Sequence, residues 1–179
     1  KGEPLTKLTR KDFQLHEDKT HIKDFHITIR RDPVNFALIL DSSASIKKFV
    51  NNIKEGAEIF VDEMQDRDEA LIVKFSNQVS LVQKRTSDKD SLKNGISSLY
   101  PVGGTKLYDG LYKAVSELDG KIRCAVLFTD GRDEKSPGDS VQYSQHKIKD
   151  VIKLARKKNI TIYTIGIGQD VDKKLLGGI

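Results

Sequence analysis

The chain has 179 residues, 37% hydrophobic and 32% charged, which suits one hydrophobic core with a small appendage and excludes both a disordered chain and two full-sized domains. No stretch approaches the ~20 apolar residues that cross a bilayer, so direct membrane insertion within this segment is not expected. The 31 basic and 26 acidic residues give a formal charge of +5 but are interleaved, unlike the concentrated positive charge of a nucleic-acid binder.

The first ten residues lack the apolar stretch of a signal peptide, although a processed chain would look the same. Residues 12–15 and 25–29 alternate apolar with polar side chains on either side of the polar stretch 16–21. Alternation of period two predicts a β-hairpin or paired extended arms, and residues 1–32 are therefore expected to form an N-terminal β extension. Asp32-Pro33 is a natural joint to the main domain, 33–179, because proline fixes its own φ and biases its predecessor towards extended backbone.

Residues 34–40 (VNFALIL) are almost continuously apolar, as suits a central parallel strand covered on both faces, and the run ends abruptly at Asp41. Ile46, Phe49, Val50, Ile53, Ala57, Phe60, Val61 and Met64 then recur at steps of three and four, the inner side of a long helix. A second strand is expected at 70–75 and a third at 79–82. Only three residues separate them, so their connection is a hairpin and the third strand antiparallel. A short helix over 88–99 and a second with Leu107, Leu111, Ala114, Val115 and Leu118 on its inner face precede a buried strand at 124–129. A last helix carries Ile148, Val151, Ile152 and Ala155, and a last strand covers 160–167. The basic run 147–158 follows helical spacing beside that apolar stripe and reads as a solvated face, with a partner-binding patch as the alternative. Cys124, the single cysteine, sits in an apolar run as a packing residue, and no intrachain disulfide is possible. These elements add up to an α/β fold with a doubly wound, mostly parallel sheet and one antiparallel edge strand.

Candidate chemistry lies where these strands end. Asp41, Ser43 and Ser45 are spaced by two directly after a buried strand, and open α/β sheets bind ligands outside the carboxyl ends of their strands. Ser and Asp are also ordinary helix caps, so the motif alone is ambiguous between capping and metal binding. Gly103-Gly104-Thr105 presents a hydroxyl from a tight loop before a helix, and Thr129-Asp130-Gly131 places a carboxylate at the end of another buried strand. Five hydroxyl and carboxylate oxygens at one rim suit Mg2+ or Mn2+; Ca2+ is the poorer fit, because it prefers more ligands and bidentate carboxylates. The four histidines, His16, His21, His26 and His146, form no ligand motif. Asp109 reads as a helix-start and loop-bonding residue or as a support of the metal ligands. The loop 132–139 reads as plain surface or as part of a partner-reading rim.

Asp-x-Ser-x-Ser at 41–45, Gly-Gly-Thr at 103–105 and Thr-Asp-Gly at 129–131, in this order on this βα pattern, resemble the metal-ion-dependent adhesion site of von Willebrand factor A domains. The resemblance covers about residues 34–179, and the segment 11–25 further resembles the lead-in of bacterial von Willebrand A-related proteins. It implies a Rossmann-like fold with one antiparallel edge strand, and a closing helix and strand that would follow Ile179. It also implies Ser43 and Ser45 as direct metal ligands, with Thr105, Asp41 and Asp130 binding directly or through water. A Glu or Asp carboxylate of a protein partner would complete the octahedron. On this view the chain is a non-enzymatic, divalent-metal-dependent interaction or adhesion module, bacterial and extracytoplasmic. Two rivals stand beside it. A metal-dependent hydrolase would need a general base or nucleophile that these motifs do not supply, and a structural module would leave the five oxygens capping helices. A dinucleotide-binding enzyme has only the lone Gly166-Ile167-Gly168 in its favour.

Overall fold

The computed structural model describes residues 8–27, 32–136 and 141–168. The chain divides into two units, residues 1–31 and 32–179.

In the first unit, Thr9 caps a 3-10 turn at Arg10–Asp12: its backbone N–H and its hydroxyl both donate to the Asp12 carboxylate, at 2.6 and 2.9 Å. Strands β1 (Leu15–Glu17) and β2 (Thr20–Ile22) then pair antiparallel, with His16 opposite His21 and their rings stacked 5.0 Å apart. The hairpin therefore spans Leu15 to Ile22, centred on the polar stretch 16–21, rather than joining flanking arms at 12–15 and 25–29. The physical reason is the turn: Asp18 takes a positive φ of 54°, which Asp tolerates, and the chain reverses there. Thr28 and Ile29 of the expected second arm lie outside the described residues.

The second unit begins with β3 (Val34–Asp41), a 3-10 turn at Ser45–Lys48 and helix α1 (Val50–Glu63). Strands β4 (Glu69–Phe75) and β5 (Val79–Thr86) form the hairpin, followed by α2 (Lys89–Ser97) and α3 (Leu107–Glu117). Strand β6 (Ile122–Thr129), α4 (Ile148–Lys158) and β7 (Thr161–Gly166) complete the described elements. The sheet order is β5-β4-β3-β6-β7, with β5 antiparallel and every other pair parallel. This is the Rossmann-like doubly wound α/β architecture.

Strand alternation builds two cores. Ala37 and Ile39 of β3 join Val73, Leu127, Leu111 and Val151 on the α3–α4 side. Leu38 and Leu40 join Ile72, Val126, Ile53 and Ile96 on the α1–α2 side. Residues 37–40 are all fully buried, and Leu38, Ile39 and Leu40 each contribute about 1.5–3 kcal/mol by leaving water. Cys124 packs at the margin of the second core, where burial pushes its thiol up to about 11 and leaves it inert. On α4 the basic run is a largely solvated face, and Lys158 reaches back to donate to the carbonyls of Val115 and Ser116 at the end of α3.

This topology decides where a site can be. Neighbouring β3 and β6 send their chains to opposite faces of the sheet, so a crevice opens between their carboxyl ends, where Asp41 and Asp130 lie.

Candidate metal centre

The chain leaves β3 at Asp41, which is fully buried. Its Oδ1 accepts the backbone N–H of Ser43 at 2.9 Å, and its Oδ2 accepts the hydroxyl of Thr129 at 2.6 Å, tying the β3 and β6 loops together. That same hydroxyl oxygen accepts the Gly131 N–H at 3.0 Å, so its proton is committed to Asp41. The Ser43 and Ser45 hydroxyl oxygens stand 2.9 Å apart. Ser45 does not cap a regular α-helix: it opens the 3-10 turn, and α1 begins only at Val50, which splits the expected long helix. None of the three motif side chains caps that turn, so capping does not account for the motif.

The Gly-Gly-Thr loop is locked against this turn. Ala44 N–H donates to the Gly103 carbonyl at 2.9 Å, and Val102 N–H to the Ser42 carbonyl at 2.8 Å. Gly103 has φ 73°, and a Cβ there would stand 2.2 Å from the Asn77 side chain, whose Oδ1 accepts the Gly104 N–H at 2.6 Å. At Gly104 a Cβ would stand 2.4 Å from the Lys135 carbonyl oxygen. Both glycines are thus demanded by close approach. They allow Thr105, 2% exposed, to bridge Glu134, with its N–H on the Glu134 carbonyl at 2.7 Å. Thr105 and Ser45 line one cavity of about 20 Å³, room for a single small species. Ser45 and Asp130 also line a wider cleft of about 530 Å³.

The structure therefore brings Asp41, Ser43, Ser45, Thr105 and Asp130 to one rim, and the donor set suits a hard cation. Burial raises Asp41 to about 6, with its hydrogen bonds from Ser43 and Thr129 opposing and the neighbouring Asp130 charge adding to the rise. Asp130 Oδ1 is buried and accepts no hydrogen bond among the described residues. An unsatisfied buried carboxylate oxygen beside a second buried carboxylate is a costly arrangement that a divalent ion relieves. Among the described residues there is no group of three or more His, Cys, Asp or Glu, so a cation here depends on the hydroxyls.

Asp109 does not belong to this set. Its carboxylate accepts the backbone N–H groups of Gln145 and His146 and pairs with His146 Nδ1 at 2.7 Å, holding the loop before α4 onto α3. Asp133 makes the same kind of tie, accepting Tyr143 N–H at 2.7 Å, Ser144 N–H at 2.8 Å and Tyr108 N–H at 3.1 Å. Sequence reasoning missed Asp133 and the buried Glu134, which lines both cavities; inside a charged loop nothing distinguishes them by pattern. Of the loop 132–139, Arg132 and Glu134 reach the cleft, while 137–139 lie outside the described residues.

Comparison with known proteins places the fold in a family. The sequence model of the von Willebrand factor type A domain matches residues 35–179. Inter-alpha-trypsin inhibitor heavy chain H2 of Mus musculus is 25% identical over 155 residues, covering 80% of this chain and 16% of that protein. The chain thus spans about a sixth of the length of that curated relative. Among solved structures, a von Willebrand factor type A protein from Catenulispora acidiphila superposes with a TM-score of 0.65 at 21% identity, over 82% of this chain and 36% of that one. Proximal thread matrix protein 1 from the mussel byssus superposes with a TM-score of 0.64 at 25% identity, over 80% and 38%. The chain belongs to the von Willebrand factor type A domain family.

Proposed function

We propose that this domain is a divalent-metal-dependent protein-binding module in which Asp41, Ser43, Ser45, Thr105 and Asp130 hold one Mg2+ or Mn2+ for capture of an acidic group on a partner. The observation that carries this reading is the buried Oδ1 of Asp130, which accepts no hydrogen bond among the described residues, next to buried Asp41. A cation bound there supplies an electrophilic vertex that a partner's Glu or Asp carboxylate can complete.

The chain's own residues prepare that vertex. Thr129 and the Ser43 N–H fix the orientation of the Asp41 carboxylate. The serine and threonine hydroxyls are neutral, so they bind without cancelling the charge that attracts the partner. Loop 102–105 and the turn 42–45 are held by backbone hydrogen bonds, so little order remains to be acquired on binding.

A binding module is favoured over a hydrolase because, among the described residues, neither cavity is lined by a His or Cys able to serve as base or nucleophile. An extracytoplasmic setting is favoured by the likeness to a byssal thread matrix protein. Among the described residues no helix is long and apolar enough to cross a membrane.

Calorimetric titration of MgCl2 and MnCl2 into the chain and into Asp130→Ala tests the proposal. Saturable heat and a rise in melting temperature in the parent alone are expected. Absence of both in the parent would leave the five oxygens as a structural feature and end the metal reading.

A further inference from the structure

The 530 Å³ cleft beside the candidate metal centre has a second chemical character. It shares Ser45 and Asp130 with that centre, and Lys47, Lys48 and Arg132 also line it. These three cations are exposed, and among the described residues no acceptor engages their side chains. Lys106, next to Thr105, is by contrast engaged, 5.0 Å from the Tyr143 ring. The cleft volume falls in the range that takes a ligand rather than a solvent molecule. Its apolar surface comes from Phe49 and Ile167, and Gly168, at φ 109°, would bring a Cβ within 3.2 Å of the Phe49 ring. Three uncommitted cations next to a site for one carboxylate raise the local concentration of a ligand that carries more than one negative charge.

We propose that the partner segment is a protein stretch with two or more neighbouring acidic side chains, one for the metal centre and a second for a basic wall formed by Lys47, Lys48 and Arg132. The proposal rests on the metal-dependent reading above and adds the class of ligand to it. The wall sets preference among acidic partners and does not hold the cation, which is the division of labour that the test must separate.

Two blocked pentapeptides, GGDGG and GEDEG, serve as probes, titrated into the whole chain at saturating Mg2+ and again without metal. GEDEG is expected to bind about tenfold more tightly than GGDGG, each added screened pair being worth a few-fold, with a preference that shrinks as salt rises. The triple variant Lys47→Ala, Lys48→Ala, Arg132→Ala is expected to keep its melting temperature and Mg2+ affinity while binding the two peptides equally. Equal affinity of the parent for both peptides, failure of the Mg2+-loaded parent to bind GEDEG, or a preference that survives in the triple variant would overturn the basic wall. So would tighter binding of an oligogalacturonate than of either peptide, which would assign the cleft to an acidic glycan. A parent that shows no Mg2+ heat yet keeps a GEDEG preference lost in the triple variant would sink the metal centre and leave the wall standing.

Discussion

Four aspartates around the candidate metal centre divide into two kinds. Asp133 and Asp109 are saturated: each accepts several backbone N–H groups from loop 143–146 and anchors that loop to α3. Asp41 and Asp130 are comparatively starved: Asp41 accepts only the Ser43 N–H and the Thr129 hydroxyl and is pushed up to about 6 by burial, and Asp130 Oδ1 accepts no hydrogen bond among the described residues. Carboxylates that exist to hold a fold collect donors until their charge is satisfied. Carboxylate oxygens kept buried and short of donors at the topological switch point cost stability, a cost that the proposed cation would relieve.

The sharpest way to break this division is to remove a saturated member. Asp133→Ala strands the N–H groups of Tyr143 and Ser144, leaves Tyr108 N–H with the Ser144 hydroxyl alone, and is expected to cost about 4 kcal/mol in urea unfolding. Mg2+ affinity, measured below the new melting temperature, should stay within about twofold of the parent. A large loss of affinity with little loss of stability would place Asp133 among the metal residues instead.

The starved pair should show its cost through pH. Asp41 has a folded value raised above its unfolded one, so its contribution to stability is complete below about 4 and is lost as pH rises through about 6. Metal-free protein is expected to lose about 3 kcal/mol across that window from this group. Added Mg2+ should restore it increasingly towards neutral pH, and Asp41→Asn should flatten the curve. Urea unfolding at several pH values reads all three; a metal-free stability that rises from pH 4 to 6 in step with Asp41 would contradict its burial as an uncompensated charge.

Asp130→Asn sharpens the same contrast with a smaller effect. Its amide keeps the shape and removes the charge, so Mg2+ affinity is expected to fall about 100-fold, or ~2.7 kcal/mol. Unfolding free energy without metal should change by less than about 0.5 kcal/mol or rise slightly, because repulsion of Asp41 is relieved.

The division also explains what was legible in the sequence. Strands β3, β4 and β6 announce themselves because both faces are covered and nearly every residue is apolar. Strand β5 is an edge, only partly buried, so its polar second half, 83–86, carried no signal and the strand runs longer than expected. In the first unit, period-two alternation reported which residues share a face but not where the chain reverses, and Asp18 supplied the reversal. The rim residues were readable because the motifs sit next to legible strand ends. The saturated carboxylates were not: their partners lie 10 to 37 residues away in irregular loops, and such ties leave no period in a sequence.

Asp109 provides the finest test, because it stands closest to the border between the two kinds. Burial works to raise its carboxyl, yet the N–H groups of His146 and Gln145 and the His146 ring together hold it below the usual carboxylate range. Its linkage to folding therefore has the opposite sign to that of Asp41: the contribution is present above the unfolded value and is lost as pH falls through the lower folded one. Asp109→Asn keeps one carbonyl acceptor for the His146 N–H but loses the charge that favours the ring contact, in which His146 also stacks on Tyr112 with centroids 3.8 Å apart. About 1 kcal/mol of stability should disappear, together with the steepest part of the acid limb below pH 4, while Mg2+ binding remains as in the parent. Were Mg2+ affinity to drop severalfold in this variant at unchanged stability, loop 143–146 would be part of the metal-holding apparatus, and saturation by backbone donors would no longer separate carboxylates that fold from carboxylates that bind.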